Sequence, residues 1–198
     1  MAMASPSKFH GAVENCFAVE DHSSLRENRK LWRIDRLGGN YYMLLLSPDK
    51  PDLGEIKEQF GFEEDMDEIK GYDALLERIT EGSIWQFRLT ANPTHTVKNG
   101  KQERGKVVAH ASDKFQMEWL YQKAEQNGFT VLTEDSCIVE SDWKIFYKRE
   151  NKNRVRLKET TYQGVLRVDH EDLFRNALIN GVGRGKAYGM GLLTVMRV

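Results

Sequence analysis

Apolar residues along this chain change their rhythm element by element, and the same order of rhythms runs through twice. The stretch HGAVENCF at 10–17 has the spacing of an amphipathic helix, with Ser5-Pro6-Ser7 ahead of it as a turn and helix start. Residues 31–37 read as a strand, Gly38-Gly39-Asn40 as a turn, and 41–46 as a buried strand running back. A helix over about 53–60 is expected to stop at Gly61. An acidic, exposed connection then leads to a short element before Gly82 whose pattern suits a strand and a helix equally.

The second pass opens with SIWQFRLTANPTHTV, where Trp85, Phe87 and Leu89 alternate with Gln86, Arg88 and Thr90 as in a half-buried strand. NGKQERG makes a turn and KVVAHA a second strand. DKFQMEWLYQKAEQNG places Phe115, Trp119 and Leu120 on one helical face and ends at Gly128. Two strands flanking a basic hairpin, a helix over about 171–179 and a glycine-rich tail complete the chain. Strand, helix, hairpin, helix, strand is the ferredoxin-like order. The expected fold is therefore α+β, two tandem ferredoxin-like domains at 1–82 and 83–198. The first lacks its opening strand, because MAMASPSK is too short and too rich in small residues to supply one. A start codon placed late, or a trimmed N-terminus, is expected.

Composition narrows the class. An apolar fraction of 40% and a charged fraction of 30% over 198 residues describe a globular chain. No apolar run approaches the roughly 18 residues of a membrane span, and MAMASPSKFHG has no signal-peptide core, so a cytoplasmic protein with no membrane partner is expected. Cys16 and Cys137 read as buried, reduced thiols rather than as a bridge, and no histidine or cysteine pair has metal-ligand spacing; neither a metal nor a cofactor is expected. The net charge of −1 hides segregation. Residues 63–70 are acidic, whereas 144–158 hold seven basic residues against Glu150 alone.

Two segments carry candidate chemistry. In NGVGRGKAYGMGLL, Gly181, Gly183, Gly185, Gly189 and Gly191 surround Arg184 and Lys186. A phosphate-binding P-loop would need one more residue before the lysine, a hydroxyl residue after it and a preceding strand; the dinucleotide motif would need a different third glycine and a following helix. Two readings remain: a loop whose backbone N–H groups and two cations take an extended phosphate backbone, or a turn whose glycines serve chain reversal and close packing. In the basic hairpin Lys148, Arg149, Lys152, Arg154, Arg156 and Lys158 surround Asn151 and Asn153, and alternation sends Arg154, Arg156 and Lys158 to one face. Such a row suits a duplex groove or a phosphate track; the bland alternative is a solvated hairpin whose charges block edge pairing.

The pieces SPSKFHGAVENCF, KLWRID with YYMLLLS, FRLTANPTHTV with RGKVVAHA, EWLYQKAEQNGF, and YQGVLRV with GVGRGKAYGMGLL resemble, in that order and over nearly the whole chain, the CasE family of CRISPR repeat-RNA endoribonucleases from type I-E systems. The resemblance implies metal-independent cleavage at the base of a repeat stem-loop: the 2′-OH attacks the adjacent phosphate and leaves a 2′,3′-cyclic phosphate and a 5′-OH. It also implies continued binding of the mature crRNA beside other Cascade subunits. His10 stands at the family's catalytic histidine, a residue type suited to proton transfer near neutrality. Three residues earlier Ser7 stands where many members have tyrosine, and Gly11 where an arginine is common. Charge stabilisation then falls to Lys8, Arg104 or Lys106. A non-catalytic RNA-binding or scaffold subunit is the alternative that Ser7 and Gly11 favour. His22 and His170 read as surface residues, whereas His95 and His110 either face RNA or complete a sheet surface, the second being the commoner case.

Overall fold

A computed structural model describes residues 5–17, 29–61, 67–98, 105–147 and 153–198. Helix α1 (Pro6–Asn15) starts where Ser5 is extended and Pro6 presets the first helical φ. Strands β1 (Leu31–Leu37) and β2 (Asn40–Leu46) pair antiparallel about Gly38 and Gly39, both at positive φ, so that a two-residue turn with matching twist closes the hairpin. Helix α2 (Gly54–Phe60) ends on Gly61 in the left-handed region. Phe9 of α1 stacks on Phe60 of α2 with ring centroids 4.1 Å apart. Together with Ala12, Val13, Cys16, Trp32 and Ile56 they form a first core. The undecided element is a single helical turn, α3 (Asp73–Leu76), and Tyr72, Leu75, Leu76 and Ile79 pack on the second core rather than the first.

Strand β3 (Ile84–Ala91) follows, with Trp85, Phe87 and Leu89 buried as the alternation requires. The expected continuous strand breaks at Asn92-Pro93, where proline cannot donate to a ladder, and continues as a ribbon of β4 (Thr94–Val97) and β5 (Lys106–Ala109). Then come α4 (Asp113–Gln126), the long strands β6 (Phe129–Tyr147) and β7 (Arg154–Val168), α5 (Glu171–Asn180), a 3-10 turn at Lys186–Tyr188, and β8 (Leu193–Arg197). The sheet order β6-β7-β3-β8, antiparallel at every step, with α4 and α5 as crossovers, is the ferredoxin-like order with the ribbon inserted.

Two expectations are corrected. Phe115 is exposed, because α4 turns Gln116, Trp119, Leu120 and Ala124 inward. Gln116 is fully buried and satisfied: its Nε2 donates to the His110 and Ala111 carbonyls, and its Oε1 accepts from the hydroxyls of Ser141 and Thr160. Both cysteines are free, but only Cys16 is buried; Cys137 is exposed beside the register shift of β6.

One side chain fastens the first hairpin to the second sheet. Arg33 of β1, 2% exposed, donates Nε and Nη2 to the two oxygens of Asp35, Nη1 to the carbonyls of Arg88 and Leu192, and Nη2 to Thr194 Oγ1. Arg88 donates to the same carboxylate from the other side at 3.2 Å. Among the described residues no helix is long and apolar enough to cross a membrane.

Candidate nucleic-acid interface

The glycine-rich segment is built from the end of α5 outward. All five of its glycines have positive φ, between 72° and 91°. A side chain at Gly183 would begin 2.9 Å from the Trp119 ring, at Gly189 2.7 Å from the Trp32 ring, and at Gly181 2.8 Å from the Gly191 carbonyl. The backbone is knitted inward as well: Val182 N–H donates to Gly191 O, Tyr188 N–H to Gly185 O, and Gly191 N–H to Thr90 O of β3. What excludes side chains here is the protein's own tryptophans and backbone, which is the close-packing reading of this loop. Gly189→Val is accordingly expected to lose about 3 kcal/mol of stability, from strain at positive φ plus overpacking against Trp32, measured by denaturant unfolding.

That packing has a positional consequence. Phe9 lies against Trp32 with centroids 5.8 Å apart, and Trp32 lies against Gly189, so α1 rests on the 3-10 turn of the loop. His10, next to Phe9 and partly exposed, stands on the helix that rests on this turn, which begins at Lys186, while its Nδ1 is 3.8 Å from Glu14 Oε1 one turn on. Lys186 is partly buried, its stem against Gly191; desolvation, with Arg29 adding to it, pulls its ammonium below the usual lysine range. Ser7 shares the helix face of His10 but its hydroxyl is bonded to Ser5 Oγ at 2.9 Å. Lys8, exposed, sits about 200° around the helix from His10, and the structure does not bring the two together. Gly11 has nothing within 4 Å of where a side chain would start.

The β6–β7 hairpin touches the loop through Phe146, which packs against Tyr188 with centroids 4.9 Å apart. Its outer face pairs Tyr147 with Arg154, Ile145 with Arg156 and Trp143 with Lys158. Arg156 lies over the Trp143 ring, 3.7 Å from its centroid. Arg154 and Arg156 are exposed as expected, but Lys158 is buried, donating Nζ to the Ser141 carbonyl. Lys106 is exposed at the start of β5, and Arg184 is exposed where its backbone bridges Asn92. Arg104, Lys148, Arg149 and Lys152, like His22, lie outside the described residues.

Sequence reasoning missed Arg29 and the exposed Trp143, Ile145 and Tyr147. The alternation in WKIFY held the signal for those three, since Phe146 is the one that turns inward. No sequence signal marks Arg29, whose approach to Lys186 spans most of the chain.

A ferredoxin-like sheet, a preceding helix-hairpin-helix unit whose first helix rests on the glycine-rich loop, and a cationic hairpin define an α+β protein. The chain belongs to the family described as CRISPR associated protein, whose profile matches residues 1–197. The expected kinship with CasE is borne out. The chain is 25% identical to the CRISPR-associated endoribonuclease Cse3 of Thermus thermophilus, over 98% of this chain and 90% of that one. Its fold matches a structure of CRISPR endoribonuclease Cse3 bound to 19 nt RNA with a TM-score of 0.74 at 23% identity, covering 98% and 90% of the two chains. It also matches the Cas6e protein of Escherichia coli str. K-12 with a TM-score of 0.65 at 18% identity, covering 98% and 93%.

Proposed function

We propose that this chain is the endoribonuclease of a CRISPR system, and that it binds the stem-loop of a repeat transcript and cuts at the base of the stem. After cutting, it stays on the mature crRNA as a Cascade subunit in the cytoplasm. The observation that carries this reading is the seating of α1, which bears His10, on the 3-10 turn that begins at Lys186, with Phe146 of the basic hairpin against Tyr188 of the same turn. The relative named an endoribonuclease and the neighbour solved with RNA support it. In this reading residues 1–82 carry the histidine and 83–198 the RNA-holding loop and hairpin.

Cleavage forms an O2′–P bond and breaks the P–O5′ bond. One proton leaves the 2′-OH and one reaches the departing 5′-oxygen; His10 performs one of these transfers. Lys186, on the turn that α1 rests against, stabilises the negative charge that grows on the phosphorane, the role that neither Gly11 nor the outward Lys8 fills. Arg154 and Arg156 hold the RNA backbone, and Trp143 supports Arg156 from below.

The test is incubation of the protein with a repeat stem-loop in EDTA. Product ending in a 2′,3′-cyclic phosphate and a 5′-OH supports the metal-independent reaction. Tight binding without product at any pH would favour the second reading, a non-catalytic RNA-binding subunit, to which the bonding of Ser7 to Ser5 and the empty space at Gly11 point. Absence of binding would sink both.

Two variants refine the picture. Reversing Arg154 and Arg156 to glutamate is expected to weaken binding and flatten its salt dependence by about one unit of slope per lost phosphate contact; an unchanged slope would make this hairpin a solvated edge. Gly11→Arg points into open space on a helix, so it is expected to stabilise the protein by roughly 0.5–1 kcal/mol through helix propensity and to speed cleavage about tenfold. A slower enzyme would show that Lys186 already fills this role and that a second cation hinders it.

A further inference from the structure

The β4–β5 ribbon leaves the main sheet at Pro93 and carries a set of rings that the cleavage site does not use. Pairing of His95 with Val108 and of Val97 with Lys106 puts these four residues on one face. There the rings of His95 and His110 lie 4.4 Å apart with their planes 30° from parallel, and His110 stacks in turn on Phe115, with centroids 5.9 Å apart. The ladder ends in the open: Phe115 is 51% exposed, and Val97, Val108 and His95 are exposed as well. Phe115 is not needed by the core, since α4 buries Gln116, Trp119, Leu120 and Ala124 instead. Among the described residues of the ribbon the charged side chains are Lys98 and Lys106, both exposed and both positive.

We propose that His95, His110 and Phe115 form a stacking platform for an unpaired base of the RNA that flanks the repeat stem, with Lys106 beside its phosphate. The proposal rests on the RNA-binding reading above. An exposed run of parallel-leaning rings offers a flat surface to any base, because every base has a π-face, and a lysine on the same face supplies the charge that a phosphodiester needs. The described charges of the ribbon itself are both positive, as a polyanion requires, and Glu118 of α4 is the acid that reaches His110.

The experiment compares two RNAs, a repeat stem-loop with unpaired flanks on both sides and the same stem-loop trimmed to its paired residues. Binding is measured for the wild type, Phe115→Ala and His95→Ala, and 2-aminopurine placed in each flank reports stacking. Both side chains are exposed, so the variants are expected to fold; Phe115→Trp is the control that keeps a ring in place. The wild type is expected to prefer the flanked RNA by roughly tenfold and to quench the 2-aminopurine of one flank. Each alanine variant should lose that preference and the quenching while binding the trimmed stem-loop as before, and Phe115→Trp should retain both. An equal preference for flanked RNA in the wild type and the alanine variants would overturn the platform and leave this face to a protein contact. So would a loss of affinity shared equally by both RNAs. If the wild type binds neither RNA, the failure lies in the RNA-binding reading itself, and the platform falls with it.

Discussion

His10→Ala is expected to bind the repeat stem-loop as tightly as the wild type and to cut it about 10²- to 10⁴-fold more slowly, the range of a lost proton-transfer group. The separation of binding from rate follows from the way the site is assembled. The cations proposed to hold RNA stand on β7 and on the glycine-rich loop, whereas His10 stands on α1 and projects from a helix whose buried residues are Phe9, Ala12 and Val13. Removing the imidazole therefore leaves the helix seat and the RNA track in place. Lys186→Met should behave differently in degree: it removes the charge proposed to meet the phosphorane and is expected to lower the single-turnover rate by about 10²- to 10³-fold. Single-turnover cleavage under saturating protein measures both. A His10→Ala protein that cuts at an unchanged rate would end the assignment, and a Lys186→Met protein that loses binding and rate in equal measure would make that lysine a ground-state contact only.

Much of this arrangement was legible because short-range rules governed it. Gly38-Gly39 announced the first hairpin, Gly61 and Gly128 closed their helices, and the alternation in 84–90 marked a strand buried on one side. The order of elements in the second half then allowed the ferredoxin-like reading, and the sheet order agrees with it. What the sequence could not show was which distant group meets which. The glycines of the tail looked like a passage for a ligand, but their neighbours are Trp119 and Trp32, brought there by pairing far along the chain. Phe115 looked like core by spacing and lost that place to Gln116, whose hydrogen bonds reach Ser141 and Thr160 on two other strands. Lys158 belonged by alternation to the exposed row, yet it is buried and Ser141 of the neighbouring strand offers it a carbonyl. In each case a tertiary partner outweighed a correct local pattern. Of the candidate site, His10, Arg154, Arg156 and Lys186 were named in advance. Arg29 required the folded chain, whereas the outer row of Trp143, Ile145 and Tyr147 was written in the alternation of WKIFY and went unread.

The largest loss of stability is expected from Asp35→Ala. Arg33 is 2% exposed and spends its guanidinium on Asp35, on two carbonyls of the second sheet and on Thr194, so removing the carboxylate strands a buried charge that water cannot reach. Breaking one side of such a pair typically costs about 3–5 kcal/mol, which for a chain of this size lowers Tm by roughly 10 °C. Arg88 would sharpen the effect, because it shares the same carboxylate and would then face Arg33 with no anion between them. Replacing the pair together, Arg33→Met with Asp35→Leu, removes the stranded charge and is expected to recover most of the stability. It should not recover cleavage in proportion. The bonds from Arg33 to the carbonyls of Arg88 and Leu192 and to Thr194 tie the hairpin under α1 to the strands that carry the glycine-rich loop, and an apolar side chain makes none of them. The double variant should melt near the wild type yet cut more slowly, with binding of the stem-loop little changed. If Asp35→Ala instead unfolds within about 1 kcal/mol of the wild type, water reaches Arg33 and the clamp between the two units is loose. If the double variant cuts as fast as the wild type, packing alone sets the histidine against the loop and the polar clamp contributes only stability.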